Sequence, residues 1–220
     1  MLIEFAVSNF RSIQEEIVLS LESGASKDLL DNCFVPAGDN ELRLLKSAVL
    51  YGPNASGKSN VLRAIYAMHF FVMNSESFQN GENIPCYDPF LLEPGANSLP
   101  SAFRVKFIGS DNRIYIYQII FNKEKIISET LDFYPTHVKA NLFTRTEDCE
   151  IKLGKYFEDK KIDKKIIKNR LFLSKAGNSG HLQMGEVFLY FRKFKVTHLM
   201  NKGGLSQTLT EISKVLYELS

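Results

Sequence analysis

The sequence contains few cysteines and no long apolar run, and each shortage excludes a class of protein. The three cysteines, Cys33, Cys86 and Cys149, lie far apart without CxxC spacing, so neither a disulfide framework nor a cysteine metal site is expected. The longest apolar stretches are interrupted by His69 and Gln118, so no membrane span is expected. We therefore expect a cytoplasmic protein with reduced thiols and no membrane association.

Histidine clusters and targeting signals are also lacking. The four histidines are scattered without the spacing of metal ligands, so we interpret each as an ordinary surface or core residue. The amino terminus lacks the basic start and the long apolar stretch of a signal peptide. With 45% hydrophobic and 24% charged residues, the composition is that of a globular protein.

The net charge of +2 conceals an uneven distribution along the chain. Between Lys152 and Lys175 there are nine basic and three acidic residues, whereas residues 1–151 carry 13 basic and 19 acidic residues. Such asymmetry is found where a segment that contacts nucleic acid is joined to an acidic body. The basic candidates are Lys160, Lys161, Lys164, Lys165 and Lys168.

A phosphate-binding loop is the strongest motif. Residues 52–59 read GPNASGKS and match G-x-x-x-x-G-K-[S/T]. The apolar run Ala48–Tyr51 predicts a short buried strand before the loop, and a helix is predicted from Lys58 to about Asn74. Strand, glycine-bounded loop and helix are the context that this motif requires.

Each position of the motif has a chemical role in binding Mg²⁺-ATP. The two glycines allow a turn that a side chain would block, and the backbone amides then point at a polyphosphate. Lys58 would reach the outer phosphates, and the Ser59 hydroxyl would ligate Mg²⁺. The predicted nucleotide-binding residues are Gly52, Pro53, Asn54, Ala55, Ser56, Gly57, Lys58, Ser59 and Asn60.

The remaining pattern predicts an α/β fold. Residues 2–21 are predicted to form a β-hairpin, and residues 103–133 an antiparallel meander of three strands. The helix after the phosphate loop is apolar on nearly every side, which indicates that it is enclosed. Residues 75–100 are interpreted as a loop. Two further short strands are predicted near residues 141–153, then a lysine-rich helical stretch and an amphipathic helix, Leu205 to Leu219.

Two stretches carry a resemblance to a known family. Residues 1–12, MLIEFAVSNFRS, resemble the first strand and "NFRS" turn of ABC-type ATPases of the SMC, RecF and OLD kind. Residues 51–65, YGPNASGKSNVLRAI, resemble the Walker A motif of the same group. The resemblance covers about residues 1–135.

The resemblance implies a fold and a biological setting. It implies a P-loop NTPase whose amino-terminal lobe, residues 1–135, has a mixed sheet and an antiparallel β-meander. The composition of residues 136–220 predicts a basic, mostly helical extension or insertion. The resemblance implies that Arg11 lies near the nucleotide and that ATP drives a head-to-head homodimer. It also implies a role in bacterial anti-phage defence, beside a nuclease or toxin effector.

Two motifs of an ABC-type site are not found in residues 60–220. One is an apolar strand ending in Asp-Glu, and the other is a loop of the Leu-Ser-Gly-Gly kind. Asp132 has the wrong preceding residues, and Leu173–Gly177 is a poor match to the signature loop. Because a carboxylate is needed to activate water, we expect hydrolysis to require residues that this chain lacks.

Two other functions remain open at this stage. In the first, ATP orders a surface that binds DNA, RNA or an effector with little turnover, and the lysine-rich stretch is the binding face. In the second, the chain is a small-molecule kinase on a P-loop scaffold. The meander argues against a kinase, because such enzymes continue with parallel βαβ units.

Overall fold

The structure is a computed structural model that describes residues 1–24, 30–36, 42–54 and 56–195 of the chain. The strands are β1 (Leu2–Ser8), β2 (Ile17–Ser20), β3 (Cys33–Phe34), β4 (Leu44–Leu45), β5 (Ser101–Ile108), β6 (Ile114–Phe121), β7 (Ile126–Phe133), β8 (Ala140–Thr146) and β9 (Ile151–Leu153). The helices are α1 (Lys58–Asn74), α2 (Phe172–Asn178) and α3 (Leu182–Lys193). Short 3-10 turns cover Leu30–Asn32, Ser75–Ser77 and Ala96–Ser98.

One seven-stranded sheet organises the described residues, in the order β2-β1-β5-β6-β7-β8-β9. Strands β3 and β4 form a separate two-stranded sheet. In the first sheet Phe5 lies opposite Leu19 on β2 and opposite Val105 on β5. The α/β class and the meander β5-β6-β7 are confirmed. Every strand pairing in the described residues is antiparallel, so the parallel part of the expected mixed sheet is not found among them.

The core lies between one face of the sheet and the helices. Residues of β5, β6 and β7 alternate between buried and half-buried, as expected for a sheet with one covered face. Phe71 of α1 packs edge-on against Phe121 with ring centres 5.1 Å apart, and Tyr190 of α3 stacks on Phe107 at 3.9 Å. Both helices are therefore held on the sheet by aromatic contacts.

Helix α1 has the predicted bounds but not the predicted burial. Only Ala64, Met68, Phe71 and Val72 are buried, and they form the stripe that faces the sheet. Leu62 on another side of the helix is 53% exposed. The prediction that α1 is enclosed is therefore wrong for the described chain, where α1 lies on a surface. No helix in the described ranges is long and apolar enough to cross a bilayer.

The predicted strand before the phosphate loop is not formed. Residues 48–51 have no regular structure, and Val49 and Tyr51 are 82% and 91% exposed. A strand needs a neighbour to satisfy its backbone groups. No strand within the described residues pairs with this segment. The strand prediction is wrong for this chain as described, because the apolar pattern contains no information about a pairing partner.

The lysine-rich stretch also differs from its prediction. Residues 154–171 form turns and irregular backbone rather than a helix, so the predicted helix is wrong there. Strands β8 and β9 continue the main sheet beyond residue 135, which confirms the two short strands predicted near residues 141–153. The predicted helix at residues 205–219 lies outside the described residues. The division of the chain at residue 135 stays a prediction.

A buried ion pair holds the lysine-rich stretch and α2 on the sheet. The side chains of Glu129 on β7 and Arg145 on β8 are fully buried, with 3.8 Å between Oε2 and NH1. Arg145 donates to the carbonyl oxygens of residues 167, 168 and 170. Glu129 accepts from the amides of Phe172 and Leu173 at the start of α2 and from the hydroxyl of Tyr117. The segment therefore needs no helix to satisfy its backbone carbonyls.

The electrostatics of Glu129 reflect its burial. Burial raises the pKa of its carboxyl group above the ordinary value, whereas Arg145 and the three hydrogen bonds oppose that shift. Three hydrogen-bond donors and the positive charge of Arg145 thus offset the cost of burying the carboxylate.

We expect Arg145→Met to destabilise the fold by about 3 kcal/mol, because it leaves a buried carboxylate without its cationic partner and three carbonyl groups without their donor. The free energy of unfolding can be measured by urea denaturation. Lys125→Met is the matched control, because it removes the exposed Lys125–Glu147 ion pair and should change stability by less than about 0.5 kcal/mol. Equal losses in the two variants would contradict a structural role for the buried pair.

Candidate nucleotide-binding site

The phosphate loop turns into α1 at a glycine that a side chain would strain. Gly57 has φ of 89°, in the left-handed region. An added Cβ atom there would lie 3.5 Å from the Ser12 hydroxyl. The loop therefore reaches the helix through a backbone conformation that favours glycine, as the motif predicts. Of the predicted residues, Ala55 lies outside the described residues.

The amino-terminal end of α1 is free of negative side chains. Gly57 provides no side-chain cap, and no acidic residue lies in the first turn. The partial positive charge of the helix end and its free amides are thus not neutralised by the helix itself. Such an end favours binding of an anion when side chains around it supply further donors.

A cavity of about 380 Å³, which we call the cradle, lies at this helix end. Its lining residues are Ser12, Ser56, Gly57, Lys58, Ser59, Asn60 and Arg63. Five of them were predicted from the motif, whereas Ser12 and Arg63 were not. Pro53 and Asn54 are exposed residues of the loop and do not line this cavity.

Lys58 is folded back onto the loop. Its Nζ donates to the carbonyl oxygens of Gly52 and Pro53, at 2.8 and 2.5 Å, and to the Ser56 hydroxyl at 3.3 Å. The ammonium group therefore occupies the centre of the loop, where it can exchange neutral acceptors for phosphate oxygens. A phosphate oxygen would add a negative charge to hydrogen bonds that the ammonium group now donates to neutral oxygens.

The turn after β1 forms the second wall of the cradle. Asn60 donates from Nδ2 to the Ser12 hydroxyl at 2.6 Å, and Arg63 donates from NH1 to Asn60 Oδ1 at 3.1 Å. This chain of hydrogen bonds ties the turn to the first two turns of α1. It explains why the "NFRS" segment and the Walker A segment, 40 residues apart, form one site.

Asn9 is a structural residue rather than a nucleotide contact. Its side chain is buried and donates from Nδ2 to the carbonyl oxygens of residues 96, 99 and 100, with the shortest contact, 2.8 Å, to Leu99. Its Oδ1 accepts from the Phe90 amide at 2.9 Å. The loop of residues 85–100 is thereby held against the turn.

Arg11 lies beside the cradle but does not line it. Its backbone is left-handed, with φ of 54°, and its Nε forms an ion pair with Asp88 at 3.3 Å. It lines a neighbouring cavity of about 430 Å³ together with Arg63. The predicted contact between Arg11 and the nucleotide stays a prediction, and the neighbouring Ser12 is the residue that faces the cradle.

No carboxylate of the described residues lines the cradle, and Glu129 and Asp132 have other partners. Glu129 is buried beside Arg145, and Asp132 pairs with Lys139 at 3.1 Å. The segment Leu173–Gly177 is part of α2, where Leu173, Ser174 and Ala176 are buried. It cannot act as an exposed signature loop. Within the described residues there is also no group of three or more potential metal ligands from His, Cys, Asp and Glu.

The five candidate lysines lie in the irregular stretch between β9 and α2. Lys160, Lys161, Lys164 and Lys165 are exposed, whereas Lys168 is half-buried and lies 4.0 Å from Glu124. None of the four exposed ammonium groups forms an ion pair with an acidic residue of the described chain. The stretch is therefore a basic surface.

The sequence was compared with models of known protein families. Residues 47–210 match the model described as "AAA domain, putative AbiEii toxin, Type IV TA system". The chain belongs to this AAA-domain family. Searches of curated proteins and of solved structures found no match. The match begins immediately before the phosphate loop, so the P-loop NTPase fold and nucleotide binding by an ATPase-like AAA domain are supported by the family as well as by the motif.

Sequence reasoning missed two residues of this AAA-domain site. Ser12 and Arg63 were both within the segments that carry the family resemblance, but neither is a fixed position of the G-x-x-x-x-G-K-[S/T] motif. The available signal for Arg63 was its place on α1, one turn after Asn60, since residues three apart share a helix face.

We expect Asn9→Ala to destabilise the AAA domain by about 2 to 3 kcal/mol, because it leaves the half-buried Phe90 amide without an acceptor and places alanine at φ of 47°. Hydrogen exchange at the Phe90 amide should accelerate together with the loss of stability. Asn112→Ala is the matched control for the cost of placing alanine in a left-handed backbone conformation, because Asn112 has φ of 60° in an exposed turn. If both variants lose the same stability, the side-chain contacts of Asn9 contribute nothing.

Proposed function

We propose that the chain binds Mg²⁺-ATP as the amino-terminal nucleotide-binding lobe of an ABC-type ATPase of the SMC, RecF and OLD kind. The observation that carries the proposal is the uncapped start of α1, facing a cavity lined by Lys58, Ser59 and Asn60. In this proposal the amides of residues 54–59 bind the phosphates, Lys58 neutralises their charge and the Ser59 hydroxyl ligates Mg²⁺.

Hydrolysis requires more than the described residues supply. Mg²⁺ bound at Ser59 would polarise the phosphate oxygens, but a carboxylate must still orient and deprotonate the attacking water. Since no Asp or Glu of the described residues lines the cradle, the proposal assigns that role to a catalytic half that carries the motifs not found in residues 60–220. An ATP-dependent head-to-head homodimer is part of the same proposal.

The biological setting is part of the same proposal. We propose a role in bacterial anti-phage defence or in a DNA transaction, with a nuclease or toxin effector as partner. The support is the resemblance of residues 1–12 and 51–65 together with the family description, which names a toxin of a type IV toxin–antitoxin system.

We expect the purified chain to bind ATP in a Mg²⁺-dependent manner without turnover, and Lys58→Ala to weaken binding by about 10-fold or more, because it removes the cation of the cradle. Titration calorimetry measures the binding, and phosphate release measures the turnover. Lys125→Ala is the control for a surface lysine. If the wild type hydrolyses ATP and Lys58→Ala abolishes this turnover, the proposal that hydrolysis needs a missing half is contradicted. Absence of binding in the wild type would contradict the proposal as a whole.

A second candidate function is favoured by the basic surface. We propose that ATP binding presents the stretch that carries Lys160, Lys161, Lys164 and Lys165 to DNA or RNA, with little turnover. The support is the exposure of these four lysines and the lack of acidic partners for them within the described chain. An acidic effector protein would be attracted by the same surface.

We expect replacement of these four lysines by glutamine to weaken binding of duplex DNA and to reduce the slope of log K against log salt by up to about 3.6, since each phosphate contact contributes about 0.9. Fluorescence anisotropy at several salt concentrations measures both quantities. The matched control replaces four exposed basic residues elsewhere, Lys46, Lys123, Lys139 and Arg192. DNA affinity that is the same in both variants and in the wild type would rule out this surface.

A further inference from the structure

A second cavity, of about 430 Å³, adjoins the phosphate cradle and has no assigned role. Arg63 lines both cavities, so the two spaces meet at its guanidinium group. The second cavity is also lined by Arg11, Tyr66, Phe70 and Asp88. Its volume lies within the range of small-molecule sites, roughly 300 to 1,000 Å³.

Arg63 is a half-buried cation without an anion. Its hydrogen bond in the described structure runs from NH1 to Asn60 Oδ1, and no acidic residue of the described chain pairs with it. Removing a charge from water without a partner is costly, and a guanidinium group matches the geometry of a phosphate. The position therefore suits an anionic ligand that lies between the two cavities.

The direction of a bound nucleotide follows from the order of the motif. The motif lysine reaches the outer phosphates, and the amides of the loop and helix start surround the inner ones. The inner phosphate then lies on the side of Asn60, and Arg63 lies one helical turn further on the same face. The nucleoside would extend past Arg63 into the second cavity.

The wall of that cavity has the properties of a base-stacking surface. Tyr66 and Phe70 lie on one face of α1 with ring centres 6.4 Å apart, and Tyr66 is 46% exposed. Aromatic rings and guanidinium groups stack on nucleobases because every base has a π-face. The cavity combines both kinds of surface.

Another cavity borders the loop on a different side. It measures about 500 Å³ and is lined by Lys58, Ile17 and Tyr51, among others, but not by Arg63. A nucleoside placed there would contact Tyr51 rather than Tyr66 and Phe70. This alternative gives the test its matched control.

We propose that the cavity lined by Tyr66 and Phe70 is the nucleoside subsite and that Arg63 binds the phosphate next to the ribose. The inference rests on the proposed function, since it assumes that the cradle binds the phosphates of the same nucleotide. It adds a place for the base and the ribose and a role for an arginine outside the motif.

The test compares ATP, AMP and inorganic triphosphate as ligands of four single variants, measured by titration calorimetry. We expect Tyr66→Ala to weaken ATP binding by about 10-fold and to change triphosphate binding by less than about twofold, since it removes only the stacking surface. Tyr51→Ala should leave both affinities within about twofold. Arg63→Gln should weaken AMP and ATP by similar factors of about 10, whereas Lys58→Ala should weaken ATP but not AMP.

Three results would overturn the inference. Loss of ATP affinity in Tyr51→Ala but not in Tyr66→Ala would place the nucleoside in the other cavity. Unchanged AMP and ATP affinity in Arg63→Gln would remove the arginine from the site. In both cases the proposed function would stand if the protein still binds triphosphate and Lys58→Ala abolishes this binding. A wild type that binds neither ATP nor triphosphate would overturn both. Equal melting temperatures of all variants confirm that the substitutions act on binding.

Discussion

The buried side chain of Asn9 is the contact on which the arrangement of the site depends. It lies where β1 ends, and its four hydrogen bonds hold the loop of residues 85–100 against the following turn. That loop supplies Asp88 to the second cavity, and the turn supplies Ser12 to the cradle. One side-chain amide group therefore holds segments that line both cavities. Its burial is stable only because each of its donors and acceptors has a partner.

The features that the sequence predicts well are local. The bounds of α1 follow from the glycine before it and from its helical pattern, and the meander follows from alternation and turn residues. The strand at residues 48–51 and the helix at residues 154–171 fail for a common reason. Both depend on non-local partners: a strand needs a neighbouring strand, and the carbonyls of the lysine-rich stretch already receive hydrogen bonds from Arg145.

The residues of the candidate site also divide into those that the sequence predicts and those that depend on contacts outside the motif. The motif residues were recognisable because their chemistry requires a fixed spacing, whereas Ser12 reaches the cradle through a contact that no spacing encodes and Arg63 is indicated only by its place one helical turn after Asn60. Ser12 is brought there by the hydrogen bond from Asn60, across 48 positions of sequence. Asp132, whose preceding residues do not match a catalytic strand, is paired with Lys139.

The geometry of the loop connects these observations to nucleotide binding. Lys58 donates to the carbonyls of its own loop, so neutral oxygens surround its ammonium group. The start of α1 carries no capping side chain, and Arg63 carries no carboxylate partner in the described chain. Three sources of positive potential thus converge on one small volume, which no acidic residue of the described chain lines. Such a volume lowers its free energy by accepting a polyanion, because phosphate oxygens satisfy all three at once.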